Sequence, residues 1–328
     1  MKIFSPLNYG FDVEKLCHIA DEFYVGVIDP DWELSNSGFI GYNTRAFSGT
    51  QANFPNWKTL ESAIKIIRKN NREVFLTVNS HNISNFQLHQ LTNIISHFAE
   101  IGGHGIICSE LNGVIIGKKL GLKVYLSTNF SLYNIESIKF INDFYGIDRI
   151  ILPRDMKYDE ICKIRNEIKQ EIEVFGQNLG CRFSNGLCYC THNTKTKGMC
   201  YTSSISKWRY FNLEHNLTFE DNYSVSINHF IYTNYLLNNA CSLCAIYDFI
   251  QIGINSIKIV GRELPFEKVY HSCKMIKKMV DIAKASLFKE EYIKNLKTET
   301  DILKNMECNW GFQCYYPEMG SIDLKRGK

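Results

Sequence analysis

The sequence contains no apolar stretch of 18 residues, which excludes a transmembrane helix. Its start, Met1-Lys2-Ile3-Phe4-Ser5-Pro6, breaks too early for the apolar region of a secretory leader. A cytoplasmic protein is therefore expected. Proline is scarce, at 6 residues, and no segment joins low hydrophobicity to a proline, serine or charge run, so long disorder is not expected. Charge of one sign is also lacking: 37 Lys and Arg against 34 Asp and Glu leave +3, too little to imply nucleic-acid binding by itself.

What is present is core-forming material and cysteine. Of 328 residues, 45% are hydrophobic and 13% aromatic, enough for a large buried core. The length suits two ordinary domains or one α/β barrel with an insertion. The 12 cysteines would suggest disulfides in a secreted chain, but in a reducing compartment clustered thiols more often hold metal or do chemistry.

Short β-branched or aromatic runs alternate with stretches of helical period, the pattern of βα units around a parallel sheet. The eight runs are 2–5, 23–28, 74–79, 105–108, 123–127, 149–152, 171–175 and 256–260. Between them Val13, Leu16, Cys17 and Ala20 share a face, as do Leu60, Ile64 and Ile67. Leu88, Leu91, Ile95 and Phe98, then Ile161, Ile164 and Ile168, repeat the pattern. Eight strand–helix units predict a closed (β/α)8 TIM-barrel fold, read as one domain over 1–328. Two connections exceed ordinary loops: 30–56 after strand two and an insertion, 176–238, after strand seven. In a barrel both emerge at the C-terminal face, where binding sites lie. Helices at 266–288 and 290–306 and a tail complete the 266–328 region.

The insertion and the residues just past it hold Cys181, Cys188, Cys190, Cys200, Cys241 and Cys244. A loop leaving strand seven and returning to strand eight can bring such thiols to one point. Thiolate tetrads bind zinc or an iron–sulfur cluster. Cys241-x2-Cys244 has a zinc-knuckle spacing, whereas Cys188-x-Cys190 and Cys181-x6-Cys188 fit zinc poorly; buried structural thiols are the alternative. From Val174 to Leu213 there is no acidic residue, while Arg182, Lys195, Lys197, Lys207 and Arg209 are basic. That segment would offset a cluster's negative charge, contact RNA through its interleaved Trp208 and Tyr210, or form a solvated loop.

At these cysteines the sequence resembles peptidase family U-32, the collagenase-like proteases. Glu173-Val174-Phe175, Cys181-x6-Cys188 with Gly186, and Gly198-Met199-Cys200 resemble the family's signature block. Asn239-Ala240-Cys241-Ser242-Leu243-Cys244 and Gly253-Ile254-Asn255-Ser256-Ile257-Lys258-Ile259-Val260-Gly261-Arg262 resemble two further segments. Ala52-Asn53-Phe54, Ser127-Thr128-Asn129, Arg149 to Arg154 and Asn309-Trp310-Gly311-Phe312 extend the likeness along nearly the whole chain.

The resemblance implies a 4Fe-4S cluster on Cys181, Cys188, Cys200 and Cys244, with Cys241 as an alternative fourth ligand. It further implies oxygen-independent hydroxylation of an RNA base, a quinone precursor or a related substrate, served by an electron donor. A cluster-bearing accessory subunit paired with a homologous partner is the second reading. A peptidase is the third, although neither Gly-x-Ser-x-Gly nor His-Glu-x-x-His occurs. The chain departs from the family pattern at Gln177, Asn178 and Val260, where His, Gly and Glu are usual.

Arginines suit carboxylates and phosphates, and Arg45, Arg154 and Arg262 are the expected substrate-binding residues, with ordinary salt bridges as the alternative. His81, Glu110 and Gln177, at or near strand ends, are the catalytic candidates. Cys17, Cys108, Cys162 and Cys273 read as small hydrophobes, and Cys308 and Cys314 in the tail are ambiguous, idle thiols being expected and closure over the cluster mouth the alternative.

Overall fold

Runs of Val, Ile and aromatic residues form eight short strands: β1 (Lys2–Pro6), β2 (Glu22–Val25), β3 (Glu73–Val78), β4 (Gly105–Cys108), β5 (Lys123–Leu126), β6 (Arg149–Ile151), β7 (Glu171–Gln177) and β8 (Ser256–Ile259). The coordinates are a computed structural model, and the residues described are 1–35, 41–81, 83–181, 185–186, 239–300 and 314–319. Every strand runs parallel to its sequence neighbours, and β8 returns to β1 with Ile3 opposite Ile257 and Phe4 opposite Lys258. The sheet is thus a closed barrel, the expected (β/α)8 fold.

Helices α1 (Val13–Cys17), α2 (Pro30–Ser35), α3 (Trp57–Lys69), α4 (Asn85–Glu100), α5 (Leu111–Lys119), α6 (Ile135–Tyr145), α7 (Tyr158–Glu167), α8 (Ile246–Gln251), α9 (Phe266–Ala285) and α10 (Lys289–Glu299) follow in order. Their starts obey local chemistry. Asn56 caps α3 by accepting from the Thr59 amide at 3.0 Å, and Ser84 with Gln87 forms a capping box on α4. Leu60, Ile64 and Ile67 of α3 and Leu91, Ile95 and Phe98 of α4 are buried, as their period requires. Among the described residues no helix is long and apolar enough to cross a membrane.

Several boundaries differ from expectation. Strand β2 stops at Val25, and beyond it Val27 makes an isolated bridge to Phe54, the loop having folded back on the strand end. That first long connection contains α2 and a 3-10 turn, Ala46–Gln51. Strand β7 continues to Gln177, because Gln177 pairs with Ile259 and bridges Cys241, so the insertion begins at 178. The last helix stops at Glu299, before an extended Thr300. The expectations for Cys188, Cys190, Cys200, the basic segment around Trp208, Cys308 and residues 301–306 lie outside the described residues.

Inside the barrel the N-terminal end is closed by charge. The guanidinium of Arg149, fully buried, bonds Glu22 at 2.9 Å, Glu171 at 2.8 Å and Glu173 at 3.0 Å, while Lys2 caps Glu22 and Glu171 from outside. Burial opposes the charge of each member, but mutual attraction outweighs it: Arg149 is held above its usual value and Glu22 below. Above this floor lie the rings of Phe4, Tyr24, Phe75 and Tyr125, with Phe75 and Tyr125 stacked at 4.2 Å. Large side chains fill the barrel to its midpoint, leaving the C-terminal end for polar groups.

Candidate active site at the barrel mouth

The first long connection is pinned across the mouth. Tyr42 exchanges two hydrogen bonds with the Val27 backbone, Asn79 accepts from the Thr44 amide at 3.1 Å, and Asn53 donates to the carbonyls of Arg45 and Gly49. This loop presents Asn43 beside Arg262, which follows β8. Arg262 is 4% exposed and donates to Thr77 Oγ1 at 2.9 Å and Asn43 Oδ1 at 3.3 Å. Both acceptors are neutral. Burial lowers the pKa of this guanidinium and outweighs the opposing pull of the Glu263 carboxylate, to which it makes no bond among the described residues. Gly26 makes the arrangement possible, since a Cβ there would collide with the Asn53 carboxamide and the Arg262 guanidinium.

The other two expected substrate-binding arginines divide. Arg45 is ion-paired with Glu263 at 3.1 Å. Arg154 lies with its guanidinium 4.0 Å above the Phe175 ring and beside the Tyr315 hydroxyl, and its buried Nε has no hydrogen-bond partner among the described residues. Arg262, Glu263, Glu173 and Arg154 all bear electrostatically on the buried hydroxyl of Tyr24, so these groups share one chamber. Lys258 belongs to it as well. Its ammonium sits 3.9 Å from the Tyr24 ring, 4.1 Å from Phe4 and 3.1 Å from Glu173.

Of the catalytic candidates, His81 and Glu110 form a pair at 4.0 Å on the β3–β4 side of the mouth, and burial lowers the imidazole pKa against the pull of Glu110. Gln177 stands apart at the end of β7. Its buried Oε1 lacks a hydrogen-bond partner among the described residues.

The chain then turns through two left-handed residues, Asn178 at φ 67° and Leu179 at φ 32°, to present Cys181. Asparagine tolerates this conformation, which accounts for its acceptability where glycine is usual. Asn178 is further locked by Ser272 at 3.1 Å and the Ala240 carbonyl at 2.8 Å.

Residues 240–242 return antiparallel to β7, placing Cys241 beside Gln177. The backbone of Cys314 pairs with that of Cys241 through an isolated parallel bridge, which brings this part of the tail to the β7–β8 side. Cys244 is buried in a 3-10 turn, Leu243–Ala245, held by the Tyr292 hydroxyl of α10 on the Leu243 carbonyl. Cys181 and Cys241 act electrostatically on Tyr315, and Cys241 and Cys244 on Tyr292, so three cysteines share the β7–β8 side. Among the described residues no three His, Cys, Asp or Glu side chains converge as a metal site.

Comparison with known proteins gives the family. The model of peptidase family U32 matches residues 14–323. The chain belongs to that family. A U32 relative named as an uncharacterized protease of Methanocaldococcus jannaschii is 25% identical over 240 residues, covering 70% of this chain and 56% of that one. A collagenase of Porphyromonas gingivalis is 24% identical over 275 residues, covering 78% and 62%. The chain therefore spans little more than half the length of these relatives. The tRNA hydroxylation protein P of Escherichia coli is 26% identical over 118 residues, 34% of this chain and 25% of that protein. A solved structure of a U32 peptidase aligns with a TM-score of 0.44 and 11% identity over 61% of this chain and 79% of that one.

Lys258, Asn43, Thr77 and Tyr24 are site residues that sequence reasoning missed. One signal was available for Lys258, a lone charge flanked by isoleucines within a buried strand.

Proposed function

We propose that this U32 member is an iron–sulfur enzyme that hydroxylates an RNA base, a quinone precursor or a related substrate without dioxygen, holding an anionic substrate or oxygen donor at the barrel mouth. The observation that carries the reading is the pair Arg154 and Arg262. Both guanidiniums lie in the chamber, and no carboxylate is bonded to either among the described residues. An entering carboxylate or phosphate would supply the missing charge, and Arg is the residue suited to bind it through two parallel bonds. Arg45, already engaged by Glu263, would adjust rather than anchor the ligand.

The donor set supports the cofactor. Cys181 follows β7 and Cys244 precedes β8, so two of the four proposed thiolate ligands flank the insertion, and Cys188 and Cys200 would complete the set. Such a cluster would exchange single electrons with a donor protein or small reductant. His81 with Glu110 offers a proton acceptor, its lowered pKa keeping the imidazole neutral near neutral pH. Gln177 can orient a ligand but cannot carry a proton.

The distant likeness to a tRNA hydroxylation protein supports RNA as the substrate. A second reading, the accessory subunit of a heterodimer, is favoured by Gln177 and Val260, where His and Glu are usual; a peptidase ranks last, resting on the family label alone.

Anaerobic purification with iron and sulfide analysis and EPR tests the proposal. About four irons per chain, lost in separate Ala variants of Cys181, Cys188, Cys200 and Cys244 but kept in Cys241→Ala, are expected. Zinc, or no metal, would sink the iron–sulfur reading.

A further inference from the structure

We propose that Lys258 is an imine-forming residue: its amine adds to the ketone of a 2-oxo acid whose carboxylate rests on Arg262 and Arg154. This deepens the anionic-ligand reading and rests on it.

The geometry carries the assignment. Lys258 points into the barrel from β8, and the ring faces of Tyr24 and Phe4 close over its ammonium at 3.9 and 4.1 Å. Rings deny it water while leaving a nucleophile's lone pair a shielded approach. Of the buried charged network, Glu173 and Arg149 have no exposed side-chain surface, whereas Lys258 retains 10%. It is the member that an entering molecule meets first, because the Arg149 cluster closes the other end. Arg262 lies 5.9 Å from the same Tyr24 ring, so the carboxylate anchor and the amine are set on one platform.

A lysine is nucleophilic only when neutral, and the surroundings raise the share of that form above an exposed lysine's. Burial pushes its pKa down, Glu173 resists, and Arg149 and Arg154 push further, leaving it at about 8.

The step balances without an oxidant. The ammonium passes a proton to Glu173, the freed lone pair attacks the ketone carbon, and the carbonyl π pair moves to oxygen, which takes that proton. Loss of the hydroxyl with the second nitrogen proton releases one water and leaves a protonated imine. The positive charge beside Glu173 is thereby conserved. Glu173 keeps its bond to Arg149 at 3.0 Å throughout, so the network need not collapse when Lys258 reacts.

Pyruvate with cyanoborohydride tests this in the full-length protein, because reduction turns an imine into a stable secondary amine that peptide mass mapping locates. Lys258 is expected to carry the adduct in large excess over an exposed lysine such as Lys65, and acetone, which lacks the carboxylate, is expected to label it poorly. Arg262→Gln should raise the pyruvate concentration for half-labelling by roughly tenfold or more, and Lys258→Arg should abolish the adduct while preserving the charge beside Glu173. The site is mapped in the wild type, so the outcome does not depend on any variant folding. Labelling spread over surface lysines without an excess at Lys258 overturns the proposal, and equal labelling by acetone overturns the arginine anchor. Iron content, measured on the same preparation, reports on the cluster separately: an adduct without iron, or iron without an adduct, tells the two readings apart.

Discussion

Arg149 shows what a single residue can hold together. Its guanidinium serves three carboxylates in a place without water, and deleting one member of such a group strands the others. Arg149→Met is expected to lower stability by about 3–5 kcal/mol, read as a shift of the urea midpoint. Glu22 adds a pH dependence. Its folded pKa lies below the ordinary 4.5, so its contribution is complete above that value and disappears as pH falls through the depressed one. Acid titration of wild type should show a loss of stability that Glu22→Gln, although weaker overall, no longer shows. Gly26→Ala should displace Arg262 and weaken anion binding more than it lowers stability, checked by pyruvate labelling beside thermal melts. These residues were illegible in the sequence for a physical reason. Arg149 and Glu22 are 127 positions apart, and nothing near either one announces the partner. Cys181 and Arg262 were legible because the motifs that carry them are local.

Among the elements, the segment from the bridge at Cys314 to the turn Pro317–Met319 acts as a clasp. Tyr316 is buried, meets Phe249 edge-on at 4.9 Å and accepts from the Phe175 amide at 3.3 Å. Tyr315 donates to the carbonyls of Asn178 and Leu179, the turn that presents Cys181. Tyr316→Ala is therefore expected to cost about 3–5 kcal/mol in chemical denaturation, within the range for emptying an aromatic site in a core. Tyr315→Phe should cost only about 1 kcal/mol yet loosen the Cys181 turn, visible as faster amide exchange at residues 178–181. Periodicity revealed the long helices because each buries one face. It missed α2 and the 3-10 turn at Ala46–Gln51, which are too short to show a period, and the clasp, whose tyrosines look like any polar tail until the core receives them.

At the scale of the molecule, closure from β1 to β8 was legible from the count of βα units, since eight strands leave no free edge when the last meets the first. Net charge was a poor guide to the mouth. The total of +3 conceals a mouth where neither Arg154 nor Arg262 is bonded to a carboxylate among the described residues, so any RNA affinity must come from where charge sits. If RNA is the substrate, binding should fall steeply between about 50 and 200 mM salt, and a salt-insensitive Kd would favour a small or apolar substrate.

The floor of ion-paired side chains gives the barrel a bottom, and a vessel with a bottom has one door. If both proposals hold, a small acid at the depth of Lys258 would arrive before an RNA stoppers the opening, and its product would leave only after the stopper lifts, so the RNA would be last in and first out.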